Sequence, residues 1–429
     1  MAAGACSFKG GPGQEDETAM NRKTKDADLT RREFVTTVGL ASLAVAGGGW
    51  TGALAAPEQS AAGAVKVQNM PKRKLGKTGV EVSILCFGGI NDTPNNQLLL
   101  KQARKWGVTY WDTAESYGHG LSEQGIGLFF SRNPGVRQEI FLATKLHNKR
   151  GHFTERLENC LKRLQTPYVD LFLIHGLTGI EEATPSKDWA AEMKKAGKIK
   201  FFGFSTHTNM EDCLLAAARL DWIDVVMLTY NFQVMNNPKM QEAIKVASQA
   251  GIGLVAMKAQ AGRPGRVKVA SEAKAEMAEH FLKRGFTDKQ AKLKIIWENP
   301  KIASICSYMP NLTILSANVA AALDRTKLTR EEYDSFQRYA LETKGNYCAG
   351  CGRICQETVG GAIPVNEVMR CLMYHQYYGE PELARQTFAG LPEEVRRRLT
   401  EVDYSRAEQA CPHGLAIAKL MRQAKEILA

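Results

Sequence analysis

The sequence predicts an α/β protein in which a (β/α)8 TIM barrel is followed by a small helical, cysteine-rich domain. Eight short apolar segments recur along the chain, mostly about 25–30 residues apart, which is the length of one βα unit, and amphipathic segments separate them. Five of the ten cysteines lie after residue 340. No Gly-x-Gly-x-x-Gly turn follows the first apolar segment, which disfavours the main alternative, a doubly wound open sheet.

The predicted strands are almost continuously apolar, as parallel strands buried on both faces are. A turn-rich segment at residues 74–83 precedes them and predicts a small hairpin. We expect the barrel to occupy residues 70–335 and the cysteine-rich domain residues 340–429. The eight barrel strands are predicted at Ile84–Gly88, Thr109–Trp111, Ile140–Ala143, Leu171–Ile174, Phe201–Phe204, Val225–Leu228, Gly253–Ala256 and Ile302–Ile305.

Composition excludes several classes of protein. The chain has 429 residues, of which 44% are hydrophobic and 24% are charged, close to the averages for globular domains. The formal net charge is +11. The basic residues form no long block and no run interleaved with aromatic residues, so we expect no nucleic-acid partner.

The first 55 residues resemble a twin-arginine export signal. Arg31 and Arg32 precede a weakly apolar stretch at residues 35–46, and small residues up to Ala55 suit a signal peptidase. The apolar stretch is shorter than the ~20 residues that span a bilayer, so we expect no stable membrane insertion. The interpretation implies export of the folded protein by the twin-arginine machinery to the periplasm or cell envelope. An amphipathic helix or a membrane anchor is the alternative.

Polar residues stand where the predicted barrel strands end. In a (β/α)8 barrel the carboxyl-terminal ends of the strands form one rim, and the chemistry of such proteins lies there. A single polar residue at a strand end is usually a helix cap or a satisfied core residue, but a convergent set indicates a site. The candidates in chain order are Asp112, Lys145, His175, Ser205, Asn231, Lys258 and Ser307.

Five motifs follow consecutive strands in a fixed order. They are DTAESYG from Asp112, TK ending at Lys145, LFLIHG through His175, GFS ending at Ser205 and YN ending at Asn231. Their order and spacing make residues 72–325 similar to the aldo/keto reductase family. The resemblance implies an oxidoreductase that transfers hydride between a nicotinamide cofactor and a small carbonyl or alcohol substrate.

The resemblance also implies a catalytic tetrad of Asp112, Tyr117, Lys145 and His175, with Tyr117 as the general acid. A phenol with a pKa near 10 is a weak acid at neutral pH unless its anion is stabilised. An ammonium group such as that of Lys145 provides this stabilisation by direct charge attraction. Asp112 would hold the lysine, and His175 would orient and polarise the carbonyl. A buried polar network without catalysis is the alternative.

The resemblance places cofactor contacts at Ser205, Asn231, Lys258, Gly262, Arg263 and Asn318. Two departures from the family pattern leave the choice between NADP and NAD open. Met227 stands where many members carry a glutamine. The segment Ser307–Thr313 holds no cation to bind an adenosine 2′-phosphate.

The C-terminal cysteines predict a metal site. Cys348, Cys351 and Cys355 are clustered, and Cys411 precedes Pro412. The set resembles the ligands of a [4Fe-4S] cluster in ferredoxin-like tails, although the usual spacing is C-x2-C-x2-C-x3-C-P. Zinc, disulfides and a metal-free cluster of thiols are the alternatives. Cys371 is assigned to no role.

Two other functions remain open beside the reductase. The protein could be an iron–sulfur electron-transfer or structural protein, with its own electron-transfer partner, whose barrel no longer exchanges nicotinamide. It could also be a non-catalytic ligand-binding barrel. Tightly bound nicotinamide in the purified protein would favour the reductase, and a reducible cluster without that cofactor would favour the second function. Neither group would be found in the third case.

Overall fold

A computed structural model describes residues 70–148, 151–261, 272–378 and 380–429. The predicted export signal at residues 1–55 and the predicted cofactor residues Gly262 and Arg263 therefore lie outside the described residues. The described part belongs to one compact unit that contains both the barrel and the C-terminal region.

Eight parallel strands close into a barrel, which confirms the predicted fold class. An antiparallel hairpin precedes it, formed by β1 (Lys72–Lys74) and β2 (Glu81–Ser83). Each barrel strand pairs with its neighbours in the chain, and the last strand pairs with the first to close the ring. The barrel strands are β3 (Leu85–Gly88), β4 (Tyr110–Asp112), β5 (Phe141–Leu146), β6 (Val169–Leu177), β7 (Ile199–Thr206), β8 (Val225–Thr229), β9 (Gly253–Met257) and β10 (Ile302–Tyr308).

Helices fill the connections between strands and cover the barrel. Their buried faces carry the apolar residues that the amphipathic pattern of the sequence indicates. The described helices up to the end of the barrel are α1 (Gln97–Lys105), α2 (Leu121–Arg132), α3 (Phe153–Leu164), α4 (Lys187–Lys195), α5 (Met210–Ala217), α6 (Pro238–Gln249), α7 (Glu272–Lys283), α8 (Asp288–Trp297), α9 (Leu312–Leu323) and α10 (Arg330–Thr343).

Apolar side chains fill the barrel interior, and the hairpin closes its amino-terminal end. Leu75 and Val82 of the hairpin segment belong to the same buried cluster as Tyr110 and Met227 from the strands. Gly203 is required where two strands come very close, because a Cβ there would lie 1.8 Å from the Val225 carbonyl oxygen. With its amino-terminal end closed and its interior packed, the barrel offers its carboxyl-terminal end, the mouth, for a site.

The C-terminal region, residues 344–429, is helical and is called the tail below. Its core is built from apolar residues that include Val368, Leu372, Phe388 and Met421. Cys371 is fully buried in that core, so it serves packing. The tail helices are α11 (Gly352–Thr358), α12 (Val365–Met373), α13 (Pro381–Ala389), α14 (Glu393–Arg398), α15 (Ser405–Ala410) and α16 (Ile417–Leu428).

The tail docks on the mouth of the barrel, at the loop that follows β7. The Asn209 backbone N–H donates to the Gly350 carbonyl over 2.8 Å, and Asn209 Oδ1 accepts from the Arg353 N–H over 2.9 Å. Gly350 has φ +82°, and a Cβ there would lie 2.1 Å from the His207 carbonyl oxygen. Position 350 therefore requires glycine, both for its left-handed backbone and for its close contact with His207.

Side-chain hydrogen bonds reinforce this docking. Thr208 Oγ1 accepts from Asn366 Nδ2 over 2.9 Å and from Arg370 Nη2 over 2.7 Å. Further along the rim, Asn231 Nδ2 donates to the Tyr347 hydroxyl over 2.8 Å. Because several of these groups are buried, the tail forms a fixed wall of the mouth.

None of the helices in the four described ranges combines the length and the apolarity that a membrane crossing demands.

Candidate active site

The structure brings Asp112, Tyr117 and Lys145 into direct contact at the mouth. Lys145 Nζ lies 2.6 Å from Asp112 Oδ2 and 2.8 Å from the Thr113 carbonyl oxygen. The Tyr117 hydroxyl lies 3.4 Å from the same nitrogen. Asp112 and Lys145 are each 1% exposed, so their charges interact with little screening by water.

The barrel register explains this convergence. Asp112 ends β4, and its register partner on β5 is Ala143, two residues before Lys145. Residues two apart on a strand share a face, so the lysine reaches the rim beside the aspartate. Tyr117 lies in the short turn after β4, where Gly118 has φ +57° and His119 has φ +53°. That turn brings the Tyr117 ring to 4.8 Å from the ammonium of Lys145.

His175 completes the group from β6. Its ring meets the Tyr117 ring edge-on, with centroids 5.9 Å apart, and stacks on His147 at 4.2 Å. Its Nδ1 lies 3.5 Å from Ser116 Oγ. Burial, and then the charge of Lys145, lower the pKa of His175 well below its usual value. His175 is therefore a neutral imidazole at neutral pH and can donate one hydrogen bond.

Burial and charge oppose each other at the other tetrad members. Burial raises the pKa of Tyr117 above its usual value, and Lys145 opposes that rise. Burial alone lowers the pKa of Lys145, but Asp112 and the neighbouring groups raise it, and its net pKa lies above the usual value. At neutral pH the site thus holds a neutral phenol beside a charged ammonium.

The predicted cofactor residues differ in what surrounds them. Ser205 Oγ accepts from the Gly176 N–H over 3.0 Å, and among the described residues its hydroxyl donates to no group. Asn318 Nδ2 donates to Ser307 Oγ over 3.0 Å beneath the rim. Met227 points into the apolar interior cluster.

Asn231 and Lys258 meet the tail. Asn231 Nδ2 donates to the Lys258 carbonyl oxygen over 3.1 Å as well as to the Tyr347 hydroxyl. Lys258 has φ +56°, a left-handed conformation that is rare for a side chain of this size. Its Nζ lies 4.9 Å from the centre of the Tyr374 ring.

Sequence reasoning missed the residues that the tail brings to the mouth. One pocket lies between the two parts, and its wall combines barrel and tail residues. Tyr347 and Asn231 are 116 positions apart, so no local pattern joins them. The lining includes His207, Thr229 and Lys258 from the barrel and Tyr347, Cys348, Asn366, Arg370 and Tyr374 from the tail.

The four predicted metal-ligating cysteines line a second, apolar pocket in the tail. Cys348, Cys351, Cys355 and Cys411 share it with apolar side chains such as Met369. All four are free thiols. Burial raises the pKa of Cys348 to about 12 and that of Cys351 to about 11. No group of three or more His, Cys, Asp or Glu side chains in the described parts of the chain is arranged to hold a metal ion.

Comparison with known proteins gives a consistent result for the barrel. The sequence profile of the Aldo/keto reductase family matches residues 86–327. The chain is 33% identical over 159 residues to the aldo-keto reductase yakc [NADP(+)] of Schizosaccharomyces pombe, which covers 32% of this chain and 46% of that protein. It is 28% identical over 217 residues to the uncharacterized oxidoreductase YrpG of Bacillus subtilis, covering 44% and 66%. The chain thus spans about half to two thirds of the length of these curated relatives.

A solved structure shares the fold. The thermostable aldo-keto reductase Tm1743, crystallised with the inhibitor epalrestat, superposes with a TM-score of 0.52 and 28% identity, covering 62% of this chain and 99% of the other. The family profile matches more than half of the chain, and the matched range contains all four tetrad residues. The chain therefore belongs to the aldo/keto reductase family.

Proposed function

We propose that the protein is an NAD(P)-dependent oxidoreductase that reduces a carbonyl compound or oxidises the corresponding alcohol. The observation that carries the proposal is the buried contact of Lys145 with both Asp112 and Tyr117, beside a neutral His175. The Schizosaccharomyces pombe relative, whose name specifies NADP(+), supports a nicotinamide cofactor.

The mouth residues fit such a cofactor. The buried Ser205 hydroxyl has a hydrogen that it shares with no described group, which suits the carbonyl oxygen of a carboxamide. Asn231 Nδ2 donates both of its hydrogens within the protein, to the Lys258 carbonyl oxygen and to the Tyr347 hydroxyl. Asn231 therefore holds the loop at the rim in position and does not donate to the cofactor. When bound, the nicotinamide supplies or accepts the hydride.

The chain's own residues move the proton. In the direction of reduction, the Tyr117 hydroxyl donates its hydrogen to the carbonyl oxygen as negative charge develops there. Lys145 stabilises the phenolate that remains, and Asp112 keeps the ammonium in place. The neutral His175 donates a hydrogen bond to the same carbonyl oxygen and so fixes its orientation.

Replacing Tyr117 tests the proposal. We expect Tyr117→Phe to lower kcat for aldehyde reduction by about 10²-fold or more, because a positioned general acid contributes about 10²–10⁴-fold. Affinity for NADPH and NADH, measured by fluorescence titration, should stay within about twofold because no hydroxyl contact to the cofactor is lost. Tyr168→Phe is the matched control, since Tyr168 packs against Arg137 outside the tetrad. Unchanged turnover of Tyr117→Phe would refute the assignment.

We also propose that the tail thiols bind a [4Fe-4S] cluster. Four cysteine sulfurs around one apolar pocket are the donor set that iron–sulfur clusters take. Zinc also takes four cysteine sulfurs, but it needs all of them about 2.3 Å from one point. A cluster spreads its ligands, because each thiolate binds a different iron.

Iron and sulfide analysis of anaerobically purified protein tests this assignment. We expect about four of each per chain and a broad visible absorption. Cys355→Ser should reduce both, whereas Cys371→Ala should not, because Cys371 lies in the tail core and outside the pocket. Colourless protein with stoichiometric zinc would refute the iron–sulfur assignment and show a zinc site instead. Colour with a reducible cluster but no nicotinamide binding would favour the electron-transfer function.

We further propose that residues 1–55 direct export through the twin-arginine machinery to the periplasm or cell envelope. Arg31 and Arg32 carry this proposal because that machinery reads the paired guanidinium groups. Replacing both with Lys keeps the charge and should leave the precursor inside the cell, as fractionation would show. Equal export of the double variant would refute the proposal.

A further inference from the structure

We propose that Arg370, which the tail contributes to the mouth, recognises a carboxylate on the substrate. The substrate class would then be carbonyl compounds, or the matching alcohols, that carry a carboxylate. This inference rests on the proposed reductase function and adds a specificity-determining residue to it.

The fold places Arg370 in the shared pocket. It lies on α12 and lines the cavity together with His207, Thr229 and Lys258 of the barrel rim. The α12 helix is anchored to the rim through Thr208, which accepts from Asn366 and from Arg370 itself. The guanidinium therefore has a fixed position relative to the barrel.

The guanidinium has hydrogen-bonding capacity that the protein leaves unused. Its Nη2 lies 2.7 Å from Thr208 Oγ1 and 3.3 Å from Glu367 Oε1. Among the described residues, Nε and Nη1 donate no hydrogen bond. The side chain is 17% exposed, so water reaches it only in part. A planar guanidinium with donors on adjacent nitrogens fits a carboxylate in a bidentate way.

The charges around the pocket favour an anion. Lys258 is a second cation on its wall, and Glu367, the carboxylate nearest to Arg370, already pairs with it. His207 is neutral and adds no charge of its own, because burial and then Arg370 and Lys258 lower its pKa. A ligand carboxylate would therefore meet two cations in a partly desolvated setting, where charge-assisted hydrogen bonds are strong.

The pocket adjoins the tetrad, which favours the substrate over a cofactor phosphate as the source of the anion. His207 directly follows β7 and Thr229 ends β8, so the pocket opens on the same carboxyl-terminal rim that carries the tetrad. Arg370 and Lys258 also contribute to the lowered pKa of His175, after burial, Lys145 and His147. Since His175 faces the reacting carbonyl in the proposed mechanism, an anion at Arg370 would belong to the substrate that occupies the mouth. Phosphate shares the chemistry of carboxylate, so the experiment must separate these two sources.

The test compares a charged substrate with its neutral analogue in the full-length protein. We expect Arg370→Gln to lower the ratio of kcat/KM for 4-carboxybenzaldehyde to kcat/KM for its methyl ester by about 10-fold or more, chiefly through KM. A lost hydrogen bond to a charged group costs about 1.5–3 kcal/mol, which corresponds to about 10–100-fold. Arg370→Lys should recover part of the ratio. Arg385→Gln, an exposed arginine on α13, is the control that should keep it unchanged.

Two outcomes would overturn the assignment. An equal loss with both aldehydes would show that Arg370 only supports the fold of the rim. A weaker affinity for NADPH with an unchanged ratio would assign the guanidinium to a cofactor phosphate.

A binding measurement separates this inference from the proposed function. Benzoate should raise the melting temperature of the wild-type protein more than benzamide does, and Arg370→Gln should lose that difference. If no aldehyde is reduced but benzoate still stabilises only the wild type, the reductase proposal fails and the anion site stands. If benzoate gives no stabilisation beyond that of benzamide, the anion site fails whatever the activity.

Discussion

At the scale of single residues, the site depends on a balance between burial and one nearby charge. Burial raises the pKa of the Tyr117 hydroxyl, and the Lys145 ammonium lowers it. Burial dominates, so the phenol remains protonated well above neutral pH. This is the form that donates a proton during reduction, whereas alcohol oxidation needs the phenolate.

The direction of this pKa shift predicts different pH profiles for the two reactions. We expect kcat for reduction to be nearly constant from pH 6 to pH 9, because Tyr117 stays in its acid form throughout. For alcohol oxidation, kcat should rise with pH across that range as the phenolate fraction grows. Lys145→Met should move the oxidation profile to higher pH, since the group that lowers the Tyr117 pKa is gone. Steady-state rates in buffers of constant ionic strength provide the measurement.

A reduction rate that falls sharply between pH 6 and pH 9 would contradict this assignment of the acid. His175→Gln provides a comparison. The pKa of His175 in the wild-type protein is already well below neutral, so its titration contributes nothing between pH 6 and pH 9. The shape of the reduction profile should therefore survive that change while its height drops.

The contacts among Asp112, Tyr117, Lys145 and His175 could be anticipated because three of them end or follow barrel strands. Parallel strands in a closed barrel deliver such residues to one rim, so spacing along the chain translates directly into proximity. Arg370 could not be anticipated in this way. It sits 162 positions from its partner Thr208, and nothing in its local sequence distinguishes it from an arginine on a solvated helix face.

At the scale of elements, the strands were the most predictable part of the molecule. All eight apolar segments coincide with observed strands, although four strands extend further by more than one residue. These are β5, β6, β7 and β10, which end at Leu146, Leu177, Thr206 and Tyr308. The extensions contain His175 and Ser205. A prediction based on runs of apolar residues ends at such polar side chains, so it made these strands too short. The contact of the tail with the rim was not predictable, because part of it is a backbone hydrogen bond between Asn209 and Gly350 and the rest joins side chains far apart in the chain.

Gly350 offers a test of that contact. We expect Gly350→Ala to destabilise the protein by more than the roughly 1–2 kcal/mol that a left-handed alanine costs, because its Cβ would overlap the His207 carbonyl. Gly360→Ala is the matched control, since Gly360 has φ +63° and no atom within 4 Å of its would-be Cβ. Urea denaturation of both variants gives the two free energies of unfolding. Equal values would mean that the tail does not rest on His207.

At the scale of the whole molecule, barrel and tail should unfold together. They share buried polar contacts, so neither part can open without losing hydrogen bonds that hold the other. We expect one calorimetric transition, which Thr208→Val shifts to lower temperature as a whole. The valine removes the acceptor that Asn366 and Arg370 share, at about 1–3 kcal/mol for the buried Asn366 donor.

Thr184→Val, at an exposed position, should leave the melting temperature nearly unchanged. Two separate transitions in the wild-type protein would contradict the view of the tail as a fixed wall. The net charge of +11 had no comparable predictive value, since the polar contacts that join the two parts depend on individual partners and not on overall charge.

The attachment of the tail through Thr208 also sets the order in which the protein is completed during translation. The residues that meet there are 158 and 162 positions apart, so the ribosome needs roughly 10–30 s to make the second partner after the first. During that interval the barrel strands can pair, but the rim lacks its last wall. Assembly of the pocket thus follows synthesis of the barrel, and a chain truncated before Asn366 would present an open, unfinished rim to chaperones and proteases.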